Sequence, residues 1–192
     1  MPAAAPPTDD ELFARLRNGD EAAFTTLYRR HRDAVYRFAL MLAGSAALAA
    51  DATQEAFLLL IQQPERFDPL RGPLPAFLMG VARNHVRRGR AEPAAPPVDD
   101  GDEAAEPGHD HTPLASLLGG ETLAGLRAAV LALPFAYREA LVLCDLHELP
   151  YLDAAAVIGC PIGTVRSRLN RARARLAQAL AGHAPAGLEA TP

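Results

Sequence analysis

Residues 159–180, GCPIGTVRSRLNRARARLAQAL, decide the fold of the second half of this chain. The stretch contains five arginines and no acidic residue, although the whole chain has a formal net charge of −4. Gly159 predicts the end of one helix, because glycine tolerates a positive φ better than other residues do. Pro161 predicts the first turn of the next helix, where the missing N–H of proline costs little. The stretch therefore predicts the turn and second helix of a helix-turn-helix.

Helical periodicity divides this predicted helix into an apolar stripe and a polar face. At about 100° per residue, four apolar residues fall on one side and form the predicted buried stripe: Val165, Leu169, Ala172 and Leu176. The other side carries the candidate base-reading residues, with a candidate phosphate-binding threonine near the helix start: Arg166, Ser167, Asn170, Arg171 and Thr164. Arg168, Arg173 and Arg175 flank this face, within reach of phosphates.

A solvated amphipathic helix is the alternative interpretation of the same pattern. Solvated helix faces usually mix acidic and basic residues, and this one carries only arginine. The charge of the chain is also segregated, because residues 91–121 contain eight acidic residues and no arginine, whereas the blocks on both sides are slightly basic. A pI near 5.8 therefore does not argue against nucleic-acid binding.

Composition and spacing exclude several other classes of protein. Cys144 and Cys160 form no zinc-ligand spacing, and we expect them to be small apolar side chains rather than a disulfide. His109 and His111 have no partner ligands nearby, so we expect no metal, no cofactor and no catalytic residue. The N-terminus lacks the features of a signal peptide, and the longest uncharged run, residues 38–50, is too short to span a membrane. These observations predict a cytoplasmic protein.

The pattern along the chain predicts an all-α fold of two small helical domains joined by a flexible acidic linker. We place the first domain at 10–90 and the second at 114–181, with disordered tails at 1–9 and 182–192. The linker, 91–113, contains proline, alanine and acidic residues with almost no large apolar side chain. In the first domain, Thr8 to Glu11 has the form of a capping box. The later helices are expected at about 46–62, 76–88, 114–132, 135–147, 151–158 and 161–181.

Three segments resemble one family. LPFAYREALVLCDLHELPYLDAAAVIGCPIGTVRSRLNRARARLAQAL (133–180) resembles the promoter-binding fourth domain of bacterial extracytoplasmic-function (ECF) sigma factors, and GTVRSRLNRAR is its most specific part. DATQEAF (51–57) is similar to the helix of that family that binds core RNA polymerase. RFDPLRGPLPAFLMGVARNHVRR (66–88) is similar to its strand-opening segment. Two matched domains in the right order are more specific than a helix-turn-helix alone.

The resemblance implies a role for each of three groups of residues. It implies that Asp51, Gln54 and Glu55 bind core RNA polymerase, with a solvated acidic face as the alternative. It implies minus-ten DNA binding for the strand-opening segment, through Phe67, Arg83, Asn84, Arg87 and Arg88. It implies minus-thirty-five DNA binding for the helix-turn-helix, through Thr164, Arg166, Ser167, Asn170 and Arg171.

The expected function is thus that of a sigma factor, which directs promoter-specific initiation and has no covalent chemistry of its own. Its expected partners are core RNA polymerase, promoter DNA and, from the resemblance, an anti-sigma factor, without membrane contact. The acidity of the linker fits a strand that lies near the RNA exit path. A stand-alone helix-turn-helix regulator is the alternative function, but it leaves 51–57 and 66–88 without a role.

Overall fold

The computed structural model describes residues 5–90 and 123–181, which are helical and contain no β-strand. The predicted linker and both chain ends therefore lie outside the described residues, as do His109 and His111. The first domain consists of α1 (Asp9–Arg17), α2 (Glu21–Ala43), α3 (Ala46–Gln62) and α4 (Leu74–Gly89). The second consists of α5 (Leu123–Ala132), α6 (Phe135–Leu141), α7 (Tyr151–Ile158) and α8 (Ile162–Ala181).

Side-chain caps begin the first helices where the sequence predicts them. Thr8 and Glu11 form the expected capping box, in which the Thr8 N–H donates to Glu11 Oε2 at 2.8 Å and the Glu11 N–H to Thr8 Oγ1 at 3.3 Å. Asp20 caps α2 by accepting a hydrogen bond from the Ala23 N–H at 3.1 Å. Each cap satisfies a backbone donor that has no partner inside its helix.

The first domain is built around the long helix α2, which packs against α1, α3 and α4. The helices enclose large side chains that are fully buried, including Leu27, Phe38, Leu42, Leu60 and Leu78. Gly44 ends α2 at a φ of 72°, a left-handed conformation that glycine adopts without strain. Most of these buried side chains are aliphatic, which fits the low aromatic content of the chain.

The second domain ends in the helix-turn-helix formed by α7 and α8. Gly159 lies between these helices at a φ of 77°, as the sequence predicts, and α8 begins one residue after Pro161. Side chains of α6, of residues 142–146 and of α8 contribute to the core, in which Leu141, Leu143, Leu169 and Leu176 are almost fully buried.

Two predicted helix boundaries are wrong. The fourth helix begins at Leu74 rather than near Ala76, because Pro75 fits the first turn of a helix and does not prevent its start. The helix expected at 135–147 is α-helical only to Leu141 and then widens into a π turn over residues 142–146. The His147 N–H closes this turn by donating to the Val142 carbonyl at 3.0 Å.

The two domains contact each other through α4 and α7, and through the C-terminal end of α2. At that end the Arg138 guanidinium, from α6, donates to the Leu42 carbonyl at 2.7 Å. Arg90 donates to the same carbonyl at 3.1 Å. Two cations therefore satisfy a carbonyl in the last turn of α2, where positive charge is favourable.

Candidate nucleic-acid interface

The apolar stripe of α8 fixes which face of the helix remains available to a ligand. All four predicted stripe residues are buried, so this prediction is confirmed. Because these residues are buried against the other helices of the second domain, the opposite face of α8 points outwards. Arg166 and Asn170 are exposed on that face, with three partly exposed residues beside them: Thr164, Ser167 and Arg171. The structure thus brings the five candidate minus-thirty-five residues together on the N-terminal half of α8.

All three flanking arginines are engaged within the domain, and Arg168 lies 3.5 Å from the Glu139 carboxylate. Arg173 forms a forked ion pair with Asp145, in which Nε lies 2.9 Å and Nη2 2.6 Å from the two carboxylate oxygens. The hydrogen bond to Asp145 raises the pKa of Arg173. The guanidinium of Arg175 lies over the Tyr137 ring, 5.0 Å from its centroid. These arginines hold α8 against the π turn and α6.

The strand-opening segment contains an aromatic cluster rather than an exposed aromatic side chain. Phe67 is only 5% exposed. Its ring packs edge-on against Phe13, with centroids 4.8 Å apart, and against Phe77 at 5.3 Å. The packed rings of Phe13, Phe67 and Phe77 therefore hold the loop before α4 in place. Phe67 and Phe77 both line a cavity next to this cluster.

A cavity of about 300 Å³ lies next to this aromatic cluster. Its lining includes residues from the loop, from α4 and from α7 of the other domain: Asp68, Arg71, Phe77, Asn84, Asp153 and Val157. A cavity with aromatic, guanidinium and amide groups has the chemistry that binds an extruded base.

The basic end of α4 combines exposed and buried groups. Asn84, Arg87 and Arg88 are exposed, whereas Arg83 is only 7% exposed. Arg83 donates from Nη1 to Asn84 Oδ1 at 3.2 Å. Its Nε donates to a carboxylate of the other domain, Glu139 Oε2, at 2.8 Å.

Glu139 contacts arginines of α4 and α8, although no pattern in the sequence identified it. Its side chain is 2% exposed, and its second oxygen lies 3.5 Å from the Arg168 guanidinium. Burial raises the pKa of Glu139, and the hydrogen bond from Arg83 opposes that rise. Arg83 and Glu139 are 56 residues apart in sequence and lie in different domains, so no local pattern could have paired them.

An acidic face lies on α3, whose main contacts are with α2 and α4. Asp51 and Gln54 are exposed and Glu55 is half-buried, so the structure places the three candidate polymerase-binding residues together. Phe57 is buried in the core. A groove beside this face is lined by apolar side chains, among which Leu58 is 38% exposed and Ile61 is 45% exposed.

Cys144 and His147 have side chains that can act in catalysis, but burial favours the neutral form of both. Burial and the nearby Asp145 raise the pKa of Cys144 to about 11, and burial lowers the pKa of His147 to about 4. Cys144 and Cys160 are both free. Within residues 5–90 and 123–181 no group of His, Cys, Asp and Glu could hold a metal ion. None of the helices in these ranges is long and apolar enough to cross a membrane.

Two family models match this chain, one for each domain. The model of sigma-70 region 2 matches residues 27–92, and the model of sigma-70 region 4 matches residues 123–176. The ECF RNA polymerase sigma factor SigE of Mycolicibacterium smegmatis is 37% identical over 186 residues, which cover 92% of this chain and 69% of SigE. This chain is an ECF sigma factor of the sigma-70 family. The match to both regions supports a sigma factor over a stand-alone helix-turn-helix regulator, which would account for region 4 alone.

Further relatives and solved structures of sigma factors support this assignment. The RNA polymerase sigma-H factor of Pseudomonas aeruginosa is 32% identical, with 90% of this chain and 93% of that protein covered. The structure of CnrH in complex with the cytosolic domain of CnrY superposes with a TM-score of 0.69 at 26% identity, covering 92% of this sigma factor and 99% of CnrH. RpoE in complex with the anti-sigma factor NepR from Bartonella quintana gives a TM-score of 0.61 at 28% identity, covering 84% and 98% of the two chains.

Proposed function

We propose that this sigma factor binds core RNA polymerase through α3 and directs it to promoters whose two elements are recognised by α4 and α8. The observation that carries the proposal is the presence of two separate basic helix faces, one in each domain. Two faces in one chain suit a promoter with two elements. An acidic face on a third helix, away from both, suits a protein partner.

The proposed polymerase-binding surface combines charge with apolar area. Asp51, Gln54 and Glu55 supply polar contacts, and the exposed parts of Leu58 and Ile61 supply an apolar centre. Interfaces typically combine an apolar centre with a polar rim, which is the arrangement here. Leu58 and Ile61 are two of six large apolar side chains exposed on the described surface, and both line the groove beside the acidic face, which supports their use in binding.

The proposed minus-ten surface consists of the cavity above Phe67 and the basic end of α4. Asn84 lies at the cavity and can hydrogen-bond a base edge, while Arg87 and Arg88 can hold the phosphates of an opened strand. Arg83 belongs to this surface only when its guanidinium is released from Glu139.

The proposed minus-thirty-five surface is the exposed face of α8. Arg166 and Asn170 project from the first half of the helix, the part that enters the major groove in helix-turn-helix proteins. Arginine pairs with guanine and asparagine with adenine through two hydrogen bonds each. Ser167, Thr164 and Arg171 complete the surface through polar contacts to bases or phosphates.

The sigma factor, in this proposal, acts in the cytoplasm and has no catalytic activity of its own, since the polymerase forms the phosphodiester bonds. A partner of the anti-sigma class is also proposed. NepR is named as an anti-sigma factor in one related structure, and CnrY is bound to CnrH in another. These two complexes support the proposal without identifying a partner for this chain.

Run-off transcription tests the function. Core RNA polymerase is incubated with genomic fragments that include the region upstream of this gene, with and without the purified protein. We expect specific transcripts only when the protein is present, with start sites that share two upstream elements. No specific transcript, together with tight binding of the free protein to duplex DNA, would contradict the proposal.

A further inference from the structure

We propose that Phe13 of α1 is a positioning residue for promoter opening, which holds the loop of residues 63–73 where an extruded minus-ten base is captured. This role depends on the proposed minus-ten function of the cavity next to Phe67. Phe13 precedes residue 27, where the match to sigma-70 region 2 begins, so α1 becomes an additional part of the strand-opening surface.

Short-range hydrogen bonds shape the loop. The Phe67 N–H donates to the Pro64 carbonyl at 3.2 Å, and the Arg71 N–H donates to the Asp68 carbonyl at 3.0 Å. Asp68 Oδ1 also accepts a hydrogen bond from the Leu70 N–H at 3.0 Å. Because these bonds join residues two or three positions apart, they define the turns of the loop and do not fix its place on the domain.

Aromatic contacts of Phe67 fix that place. The Phe67 ring meets the Phe13 ring edge-on, with centroids 4.8 Å apart and an angle of 80° between the ring planes. Its centroid also lies 5.3 Å from that of the Phe77 ring of α4. Phe13 is 3% exposed and Phe67 is 5% exposed. Edge-on ring pairs have a preferred geometry, so the Phe13 ring restricts both the position and the orientation of Phe67.

The helix that carries Phe13 is anchored to α2 at its first residue. Asp9 Oδ1 accepts a hydrogen bond from Arg30 Nη1 at 2.6 Å, and Asp9 Oδ2 lies 2.8 Å from His31 Nε2. Leu12, the neighbour of Phe13, is 1% exposed. These contacts hold α1 against the central helix of the domain, and they hold the Phe13 ring with it.

The position of the loop matters because the loop forms part of the cavity. Phe67 and Phe77 line the cavity together with polar groups that include Asp68, Arg71 and Asn84. Capture of an extruded base offsets the cost of unstacking it. A displacement of about 1 Å in the groups that position a substrate can slow a reaction substantially. A displaced loop should therefore slow the opening of duplex DNA.

Two substitutions displace the loop by different routes. Phe13→Leu keeps an apolar side chain and removes the ring that contacts Phe67. Asp9→Asn weakens the anchor of α1 and leaves every ring in place. Phe38→Leu is the control for the first, because it makes the same change at a fully buried position whose ring contact is with the second domain. Asp10→Asn is the control for the second, at an exposed position of the same helical turn.

The first measurement is the rate of promoter opening by the reconstituted holoenzyme. 2-Aminopurine in the minus-ten element of a promoter mapped with this protein reports unstacking through its fluorescence. We expect Phe13→Leu to open the duplex about tenfold more slowly than the wild type, Asp9→Asn to open it more slowly, and both controls to match the wild type. Circular dichroism and competition for core polymerase establish that each variant is folded and forms holoenzyme.

The second measurement separates positioning from a general loss of stability. Abasic sites are placed singly along the minus-ten non-template strand, and the site that most slows opening by the wild type marks the captured base. On that template Phe13→Leu should cause no further slowing, because no base remains to be captured. On the other abasic templates it should keep its defect. A merely structural role would slow opening equally on all of them.

Three results would overturn the proposal: opening at the wild-type rate by folded Phe13→Leu holoenzyme, an equal defect of this variant with and without the captured base, or an abasic scan with no sensitive position. If Phe13→Leu fails to fold, Asp9→Asn is measured on the same templates and decides the outcome. In each case specific run-off transcription by the wild type leaves the proposed function intact, whereas its absence would count against the function itself.

Discussion

At the residue scale, single polar pairs determine how the helix-turn-helix is held. Asp145 and Arg173 join the π turn to α8 through two parallel hydrogen bonds, and both side chains are largely buried. A forked pair fixes orientation as well as distance, which a lysine cannot do. Arg173 was predicted to reach phosphate because helical periodicity places it beside the DNA-facing side, and periodicity cannot reveal a partner 28 residues away.

Arg173→Lys tests this pair. We expect the free energy of unfolding to fall by about 1–2 kcal/mol, because lysine loses one of the two charge-assisted hydrogen bonds. Urea unfolding followed by circular dichroism measures the change. Arg29→Lys, at an exposed position of α2, is the control and should change stability little. Equal stability of the two variants would show that the fork contributes nothing.

His147 predicts a dependence of stability on pH. Burial, with a smaller effect of Arg37, lowers its pKa from 6.5 to about 4 in the folded protein. The unfolded chain therefore binds the proton first as the pH falls, so the contribution of neutral His147 is complete above pH 6.5 and is lost towards pH 4. Compared with His147→Gln, the wild type should lose on the order of 2 kcal/mol over this range, allowing for partial exposure. Parallel unfolding curves of the two proteins against pH would contradict this.

At the element scale, the sequence predicted those features of the helices that depend on neighbouring residues. The stripe of α8, the capping box at Thr8 and the left-handed Gly159 each depend on residues within about three helical turns. The π turn after Leu141 escaped prediction because its sequence, VLCDL, contains no helix breaker. The turn packs against α2 and α7, and its Asp145 pairs with Arg173 of α8, which are contacts that a local sequence pattern does not show.

Leu176→Ala tests whether α8 is held by its apolar stripe. The side chain is fully buried, so its truncation should reduce the free energy of unfolding by about 2–5 kcal/mol. Gln178→Ala, at an exposed position two residues later, should change it by less than about 0.5 kcal/mol. Chemical denaturation measures both variants, and a small effect of Leu176→Ala would mean that α8 is not packed as described.

At the scale of the whole molecule, the relation between the domains is the feature that sequence could not supply. The two domains and the candidate residues of each could be predicted from segments such as DATQEAF and GTVRSRLNRAR. The pairing of Arg83 with Glu139 could not, because it joins the domains across 56 residues of chain. While Arg83 is paired with Glu139, its guanidinium is not available to DNA.

The acidic face of α3 gives a prediction about the intact molecule. The double variant Asp51→Asn, Glu55→Gln should bind core RNA polymerase about tenfold more weakly, a loss of about 1.4 kcal/mol. Its DNA-binding residues are unaltered. A control of equal charge change, Asp10→Asn with Glu65→Gln, alters exposed carboxylates elsewhere in the first domain and should bind like the wild type. Competition against a labelled wild-type protein measures both, and equal loss would assign the effect to net charge.

The central claim is that one chain uses both domains on a single promoter. Run-off transcription from a promoter mapped with this protein tests it most directly, using templates in which the upstream element, the downstream element or the intervening spacer sequence is scrambled. We expect loss of the transcript when either element is scrambled and its retention when the spacer sequence is changed at constant length. Full transcription from a template without its upstream element would contradict it.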